Sequence, residues 1–425
     1  MTGHVAVRLL LVELGLPARR SSAYRGGPGR PGAAGRGIVA RHPRGADGQR
    51  LELPVVVSDR AEAPNGTATV LLVSSNGAGM GHLTRLMAMA RRRGAGVRPL
   101  VASMSQAVPV VADEGFAWEY IPSRGDLGLG PRRWNVLLER RMTALLRRER
   151  PAALVFDGTF PYDGVLDAAA AVGGTRLVWS RRGMWRPGLG SRQLRRAELF
   201  DLVLEPGELA ASHDRGATAG RTDAVRVGPN TLLDADELLD REAAAVALGV
   251  DPARPTALLT LGAGNINDIS SDLGRFVGRL LDETDLQVVL TRPLIADDLA
   301  RFGDRVHGVS LYPVSRYFRA VDFAIAASGY NAFHELVQFG VPTAFVPNTS
   351  TAMDDQQGRA VWAEESGVGL CVSEVSEAGV DRAVTALADP VRREGFARRC
   401  RELARPNGAA AAMAAVQDLV GGGVR

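Results

Sequence analysis

The sequence contains no lysine: all 51 of its basic residues are arginines. A Walker-type phosphate loop needs a lysine that reaches the nucleotide phosphates, and Schiff-base catalysis needs a lysine amine, so both chemistries are excluded. Cysteine is nearly as scarce. Cys371 and Cys400 are the only two, too few for a disulfide framework, which is consistent with a reducing cytoplasm.

Long apolar runs are missing as well. No stretch approaches the roughly 20 residues that span a bilayer, and the apolar segment 5–16 is interrupted by Arg8 and Glu13. We therefore expect neither a transmembrane helix nor a secretory signal. The sequence predicts a cytoplasmic protein, and it leaves open a peripheral contact with the inner face of the membrane.

The positive charge is concentrated in the N-terminal part of the chain, although the pI of the whole is about 9.5. Residues 1–66 hold ten arginines against five acids, whereas the rest holds 41 arginines against 42 acids. A nucleic-acid-binding body is therefore disfavoured. Residues 17–50 are rich in Gly, Pro and Arg and lack hydrophobic periodicity, so we predict a disordered basic extension over 1–66. This extension is either a functional arm or the product of a start codon placed too far upstream.

Apolar strands and amphipathic helices alternate from Thr67 onward. Short buried strands between helices predict a parallel sheet that is covered on both faces. The pattern begins twice, each time with a strand and a glycine-rich turn. We therefore predict an α/β protein with two doubly wound, Rossmann-like domains facing each other across a cleft, over 67–235 and 236–425. Ligands of such sheets bind beyond the carboxyl ends of the strands, so the chemistry should lie in the cleft.

The first glycine-rich turn reads SSNGAGMGHLTR. A dinucleotide fingerprint requires G-x-G-x-x-G and an acidic residue about 20 positions further on. Here the glycines are Gly77, Gly79 and Gly81, and the second strand ends at 102–104 without a carboxylate. The second turn, at 262–264, also lacks the third glycine. The sequence therefore argues against a dehydrogenase.

The segment 322–360 carries the most specific pattern. A buried strand ends at Ser328-Gly329, and a helix follows at once, so free N–H groups and the positive helix end are suited to a phosphate. Glu335 lies two helical turns after Ser328 on the same face, where its carboxylate could accept both hydroxyls of a ribose. Residues 354–357, Asp-Asp-Gln-Gln, offer polar side chains for sugar hydroxyls.

These residues resemble the donor-binding motif of GT-B glycosyltransferases, closest to family 28, which includes the peptidoglycan N-acetylglucosaminyltransferases. The shared pattern is Ser-Gly, a Glu seven residues after the Ser, Gly-x-Pro at 340–342 and Asp-x-Gln-Gln at 354–357. The glycine-rich loop with a histidine, 77–82, matches as well, and the resemblance covers roughly 67–420. It implies a hexosyltransferase that moves a sugar from a nucleoside-diphosphate donor, foremost a UDP-sugar, to a hydroxyl acceptor. It also implies inversion at the sugar and no metal or other cofactor.

The resemblance implies specific roles for residues on both sides of the cleft. His82 would be the general base, since an unperturbed pKa near 6.5 suits that task, and the acceptor would meet Gly79 and Gly81. The segments 157–161 and 181–186 match no acceptor motif of the family. From its position after a buried strand, Asp157 could assist His82, bind the acceptor or simply form a turn. Arg182 and Trp185 are candidates for holding a phosphorylated or lipid-linked acceptor, and a solvated loop is the alternative. The implied donor ligands are Gly262, Ala263, Gly264, Asn265, Arg292, Ser328 and Gly329 for the diphosphate, Tyr312 for the base, Glu335 for the ribose, and Asp355 and Gln356 for the sugar.

One departure from the family pattern and one further resemblance keep other functions open. The donor loop reads GAGNIND, unlike the Gly-Ser-Gln-Gly type of the peptidoglycan enzymes, so their substrate is not carried over. The stretch 79–85, Gly-Met-Gly-His-Leu-Thr-Arg, resembles the opening of the nucleotide-sugar hydrolases of pseudaminic acid synthesis, in which water replaces the acceptor. A UDP-sugar 2-epimerase and a non-catalytic nucleotide-sugar-binding protein remain as further alternatives.

Overall fold

The computed structural model describes residues 66–75, 80–262, 270–283, 285–291, 303–349 and 354–421, together with the backbone of 56–57. Most of the predicted basic extension lies outside these residues. Five of the predicted site residues also lie outside them: Gly79, Ala263, Gly264, Asn265 and Arg292.

The first domain is built on a sheet of eight described strands. Seven strands are parallel, and only the short first strand runs antiparallel to its neighbour. The strands are β1 Val56–Val57, β2 Ala68–Ser74, β3 Val97–Ser103, β4 Ala117–Tyr120, β5 Ala153–Asp157, β6 Arg176–Ser180, β7 Leu202–Glu205 and β8 Val225–Arg226. Their spatial order is β1-β4-β3-β2-β5-β6-β7-β8, so the direction of winding reverses between β2 and β5.

The second domain repeats this plan with six described strands, all parallel. They are β9 Thr256–Thr260, β10 Gln287–Thr291, β11 Val306–Val309, β12 Phe323–Ala327, β13 Thr343–Val346 and β14 Gly369–Cys371. The order β11-β10-β9-β12-β13-β14 places the reversal between β9 and β12. Each sheet therefore has one switch point, and this is where sheets of this type bind ligands.

Helices cover both faces of each sheet, and the central strands are almost entirely buried, as their aliphatic sequences predict. The α-helices are α1 Gly81–Arg91, α2 Val110–Asp113, α3 Arg124–Leu127, α4 Pro131–Glu149, α5 Asp163–Val172, α6 Ser191–Leu194, α7 Arg241–Leu248, α8 Ser270–Leu281, α9 Tyr330–Gln338, α10 Gln356–Glu365, α11 Glu377–Ala388, α12 Pro390–Leu403 and α13 Ala409–Gly421. Short 3-10 helices occupy Arg195–Leu199, Ala211–His213, Ala235–Glu237 and Val314–Ala320.

α2 is only four residues long, and the residues before it form turns with hydrogen bonds of the 3-10 type, such as the one from the Val110 amide to the Ala107 carbonyl at 3.1 Å. The structure corrects one local prediction, that of disorder over the whole of 1–66. Within that range, Val56–Val57 forms an edge strand whose partners are Tyr120 and Glu119 of β4.

The C-terminal helix α13 crosses back to the first domain. Its buried face joins the same apolar cluster as α1, and Gln417 accepts a hydrogen bond from the amide of Gly94 at 3.2 Å. The crossing requires a close approach of two backbones, because a Cβ on Gly408 would lie 1.9 Å from the carbonyl oxygen of Gly228. The two domains are therefore joined by the linker near Gly228 and by this returning helix.

Candidate active site in the cleft between the two sheets

At the switch point of each sheet, a strand is followed along the chain by a helix. α1 follows β2 in the first sheet, and α9 follows β12 in the second. No side chain caps either helix at Met80 or Gly329, so the first N–H groups lack partners within the helix and carry the positive end of its dipole. Asn331 Nδ2 donates to the carbonyl of Gly81 at 3.2 Å. The two helix starts, one from each domain, therefore lie side by side.

His82, the second residue of α1, pairs with Asp157 at the end of β5. The distance from Nδ1 to Oδ1 is 2.6 Å. Ser74 and Asp157 are registered partners across the switch point, and the amide of Ser75 donates to the Asp157 carbonyl at 3.0 Å. Ser180 on β6 donates its hydroxyl to Asp157 Oδ2 at 2.8 Å. The topology thus brings together the two residues that the sequence predicts to be catalytic, although 75 positions separate them.

Burial and neighbouring charges set the ionisation of this pair. Burial alone would raise the pKa of Asp157, but the Arg85 charge and the hydrogen bonds from His82 and Arg85 outweigh it and hold that pKa well below its usual range. Burial lowers the pKa of His82, and the charges of Arg85 and Arg182 lower it further against the opposing effect of Asp157. At neutral pH the pair is therefore a carboxylate beside a neutral imidazole.

A neutral imidazole whose Nδ1–H donates to the carboxylate has a lone pair on Nε2. In the part of the chain that the structure describes, no hydrogen bond to that nitrogen occurs, and the side chain is 20% exposed. A general base needs these two properties, an unprotonated nitrogen and access for the substrate.

The start of α9 forms the opposite wall of the site. Ser328 is fully buried, and its hydroxyl donates to the carbonyl of Gln356 at 2.8 Å, which fixes the turn before the helix. The side chain of Gln356 accepts from the amide of Asn348 at 3.0 Å. Asp355 caps α10 by accepting from the amide of Gly358 at 2.9 Å. The predicted sugar ligands Asp355 and Gln356 therefore already hold structural hydrogen bonds beside the turn that is predicted to bind phosphate.

Glu335 lies on the buried face of α9. Its side chain is enclosed next to the backbone of Leu232 and the hydroxyl of Ser315, and within the described residues no arginine or histidine pairs with it. Burial raises its pKa to about 7, against the opposing effect of Leu232 and Ser315. The Glu335 charge in turn helps burial to raise the pKa of Tyr312. The predicted ribose ligand and the predicted base-lining residue are thus electrostatic neighbours.

Tyr312 also connects the two domains. Its hydroxyl lies 2.9 Å from that of Thr84 on α1, one helical turn after Gly81. The predicted donor pocket is therefore closed on one side by the helix that carries His82. Gly262, the one described residue of the second glycine loop's GAGN stretch, has φ +95, a backbone conformation that favours glycine.

A chain of buried charges joins the domains on the other side of the cleft. Arg182, which follows β6, binds Asp354, and Asp354 also accepts from Arg359 Nη1 at 2.6 Å. Arg359 Nε in turn donates to Glu208 at 2.8 Å. Burial opposes ionisation of Asp354, but the Arg182 and Arg359 charges prevail and lower its pKa to about 2. Arg182, predicted to face the acceptor, is thus held at the junction of the two domains.

The side chain of Trp185 does not line the cleft, as a residue that contacts the acceptor would. Its indole is completely buried in the apolar cluster of the first domain and packs near Trp179, with ring centroids 6.5 Å apart. Its backbone forms a β-bridge with Asp354. Any contact between Trp185 and an acceptor would therefore pass through the backbone of the loop.

Several residues of the site escape analysis of the sequence alone. Arg85, Tyr330 and Arg359 are buried, and they contact the His82–Asp157 pair or lie at the turn that is predicted to bind phosphate. Only Arg85 had a local signal, since it stands one helical turn after His82 in the GHLTR stretch. His334 is fully buried: its Nδ1 lies 2.7 Å from the carbonyl of Tyr330 and its Nε2 lies 3.1 Å from Glu208, so it joins α9 to the first domain.

Comparison with known proteins supports the architecture. No protein-family model matches the chain. A UDP-N-acetylglucosamine–N-acetylmuramyl-(pentapeptide) pyrophosphoryl-undecaprenol N-acetylglucosamine transferase from Chlorobium luteolum is 25% identical over 243 residues, which cover 55% of this chain and 62% of the relative. The chain thus matches less than two thirds of that relative's length.

Solved structures match over a longer range. The spinosyn forosaminyltransferase SpnP superposes with a TM-score of 0.62 at 17% identity, covering 83% of this chain and 99% of the other. MurG of Acinetobacter baumannii superposes with a TM-score of 0.58 at 15% identity over 83% and 99%. The chain therefore has the two-domain GT-B fold, as the sequence predicts.

Two kinds of feature are absent from the described residues. No helix among them is both long and apolar enough to cross a bilayer. In the same part of the chain, no group of three or more His, Cys, Asp or Glu side chains converges as metal ligands would.

Proposed function

We propose that the chain is a glycosyltransferase that moves a sugar from a uridine diphosphate donor to a hydroxyl acceptor, with inversion at the anomeric carbon. The observation that carries this proposal is the junction of the two helix starts. A neutral histidine hydrogen-bonded to a carboxylate stands on one of them, and an uncapped helix N-terminus stands on the other.

The donor side follows from the chemistry of α9. A diphosphate would accept hydrogen bonds from the free N–H groups at its start and would be stabilised by the helix dipole. Glu335, further along the same helix, would accept the ribose hydroxyls, and Tyr312 would lie against the base. The likeness to UDP-N-acetylglucosamine-dependent transferases supports a uridine nucleotide.

The reaction would proceed by direct displacement. The acceptor hydroxyl attacks the anomeric carbon, its proton passes to His82 Nε2, and the bond between that carbon and the diphosphate oxygen breaks. Asp157 stabilises the imidazolium that forms, and the N-terminal N–H groups of α9 stabilise the charge on the leaving diphosphate.

Hydrolysis of the nucleotide sugar is the second candidate. The His82–Asp157 pair could activate water in the same way, and the Gly-x-Gly-His-x-x-Arg stretch favours this alternative by its resemblance to nucleotide-sugar hydrolases. The chemistry differs only in the attacking oxygen.

One experiment separates the candidates. The purified chain is incubated with a panel of UDP- and dTDP-sugars, with and without a lipid extract as the source of lipid-linked acceptors. We expect nucleoside diphosphate to be released only with the extract. Release of nucleoside diphosphate without the extract would show hydrolysis in place of transfer. Formation of an isomerised sugar would show epimerisation. Binding of a nucleotide sugar without any turnover would show a binding protein that is not an enzyme.

Matched histidine variants test the site itself. His82→Asn should lower turnover by about 10²- to 10⁴-fold, the usual contribution of a general base, while the dissociation constant for UDP stays nearly unchanged. His213→Asn is the control, because His213 lies at the surface and pairs with Glu365. Equal turnover in the two variants would refute the role assigned to His82.

A further inference from the structure

Arg85 is a buried arginine that the proposed reaction does not use. It lies on α1, one turn after His82, and only 3% of its surface is exposed. Its Nε donates to Asp157 Oδ2 at 3.1 Å and its Nη2 to Oδ1 at 2.5 Å. This two-pronged contact fixes both the position and the plane of the carboxylate.

The same guanidinium lies against the histidine ring. Arg85 Nη2 is 2.8 Å from His82 Nδ1, and Asp157 Oδ1 is 2.6 Å from that nitrogen. An arginine can only donate, so Nδ1 cannot both accept from Arg85 and donate to Asp157. With Asp157 ionised, the short contact favours Nδ1–H donating to the carboxylate. The Nη2 hydrogens are then directed to Oδ1.

Arg85 also reaches the opposite domain. Its guanidinium carbon lies 5.3 Å from the ring centre of Tyr330, the first residue of α9. Tyr330 is held in turn by its hydroxyl, which donates to the carbonyl of Gly207 at 2.8 Å and accepts from the amide of Asn230 at 3.1 Å. A cation over an aromatic face is attractive, and more so when both are desolvated.

We propose that Arg85 is a positioning residue. It fixes the Asp157 carboxylate so that the ring proton of His82 stays on Nδ1, and it couples this arrangement to Tyr330 at the start of the helix that would bind the donor phosphates. Without the fork of Arg85, the carboxylate can rotate and the imidazole can place its proton on Nε2, where it can no longer act as a base. The consequence for turnover rests on the proposed function, whereas the state of the imidazole does not.

The test therefore begins with the protein alone. Nitrogen NMR of ¹⁵N-histidine-labelled chain reports the protonated ring nitrogen and the pKa of each histidine, and His82→Asn assigns the signal. We expect the Nδ1–H form in the wild type. In Arg85→Met the pKa of His82 should rise by about 1 to 3 pH units, because a like charge is removed and Asp157 is left unneutralised. The other charged groups that face His82, Asp157 and Arg182, remain in place.

Arg85→Lys separates charge from geometry. It keeps the positive charge, so the pKa of His82 should stay closer to the wild-type value than in Arg85→Met. It loses the planar fork, so both imidazole tautomers should appear. Arg85→Lys also keeps the test decisive if Arg85→Met does not fold.

Turnover provides the second set of measurements. For Arg85→Met, the acid limb of the pH profile should move upward together with the NMR pKa. For Arg85→Lys, kcat should fall by at least about tenfold, the effect of a misoriented base, with little change in KM for the nucleotide sugar. Arg93→Met is the matched control, because Arg93 lies just after α1 and stacks on Phe116 at 4.9 Å, about 12 Å further along the helix axis.

The outcomes are distinct from those that test the proposed function. If the protein has no transferase activity but the tautomer and the pKa of His82 depend on Arg85, the positioning role is still supported. Folded Arg85 variants that retain a pure Nδ1–H tautomer and an unchanged pKa would overturn it. So would variants that lose only thermal stability while the pH profile keeps its wild-type shape.

Discussion

Replacement of Glu335 by glutamine should stabilise the unliganded protein at alkaline pH while it weakens nucleotide binding. The reason is the buried position of the carboxylate, which raises its pKa to about 7 from an ordinary value of 4.5. When the folded-state pKa of an acid is raised, the unfolded chain loses its proton first. The free energy of unfolding is therefore unaffected below about pH 4.5, falls as the pH rises towards 7, and remains reduced above that.

The two pKa values set the size of the effect. One pKa unit corresponds to about 1.4 kcal/mol, so the shift amounts to a cost of about 3 kcal/mol once the carboxylate of the folded chain is ionised. Glu335→Gln preserves the size and hydrogen-bonding shape of the side chain and removes the ionisation. We expect the variant to unfold at a higher temperature than the wild type at pH 8 and at nearly the same temperature at pH 5.

The assay is thermal unfolding between pH 5 and pH 8, with Glu402→Gln as the control. Glu402 is an exposed helix residue in a surface ion pair with Arg399, and such pairs contribute little to stability. If Glu335→Gln and Glu402→Gln show the same pH dependence, the carboxylate of Glu335 is not held at a raised pKa and the reasoning fails.

The same substitution should have the opposite effect on nucleotide binding, which it should weaken. An ionised carboxylate that accepts two ribose hydroxyls forms charge-assisted hydrogen bonds, each contributing about 1.5–3 kcal/mol. Glu335→Gln should therefore weaken UDP binding at pH 8 by about tenfold or more, and wild-type affinity should rise as the pH passes through 7. A variant that is stabilised yet binds UDP like the wild type would show that Glu335 does not hold the ribose.

The strands and the edge of each sheet at which they end were predictable because burial leaves a direct trace in the sequence. Central strands such as β2 and β12 are short aliphatic runs between helices, and the glycine-containing turns that follow them mark the carboxyl edge of a sheet. This is why His82, Asp157 and Ser328 could be placed at one cleft without coordinates. The start of α2 could not be predicted in this way, because it depends on Pro109 at the N-cap and not on apolar periodicity.

Contacts between the domains were not predictable, because they depend on how two sheets are placed relative to each other. Arg359 and Glu208 are 151 residues apart and belong to different domains, so no spacing rule links them. The same holds for Tyr330, an ordinary apolar position of a helix until its hydroxyl is seen to bind the backbone of the first domain. Trp185 shows the opposite error. A tryptophan in an arginine-rich loop suggested a ligand contact, yet the ring fills the core.

Two further substitutions test the junction of the domains. Asp354→Asn leaves two buried arginines without their shared anion, so it should cost about 3–5 kcal/mol of stability, measured as the loss in urea-unfolding free energy. Gly408→Ala should destabilise the chain by at least about 1–3 kcal/mol, because the new Cβ would lie 1.9 Å from the backbone oxygen of Gly228 and one of two rigid segments must move. Gly395→Ala in α12 is its control: no atom outside its own stretch of helix lies within 4 Å of the added carbon, so the helix should gain about 0.5–1 kcal/mol. If Gly408→Ala unfolds at the same temperature as Gly395→Ala, the backbone contact that returns α13 to the first domain does not contribute to stability.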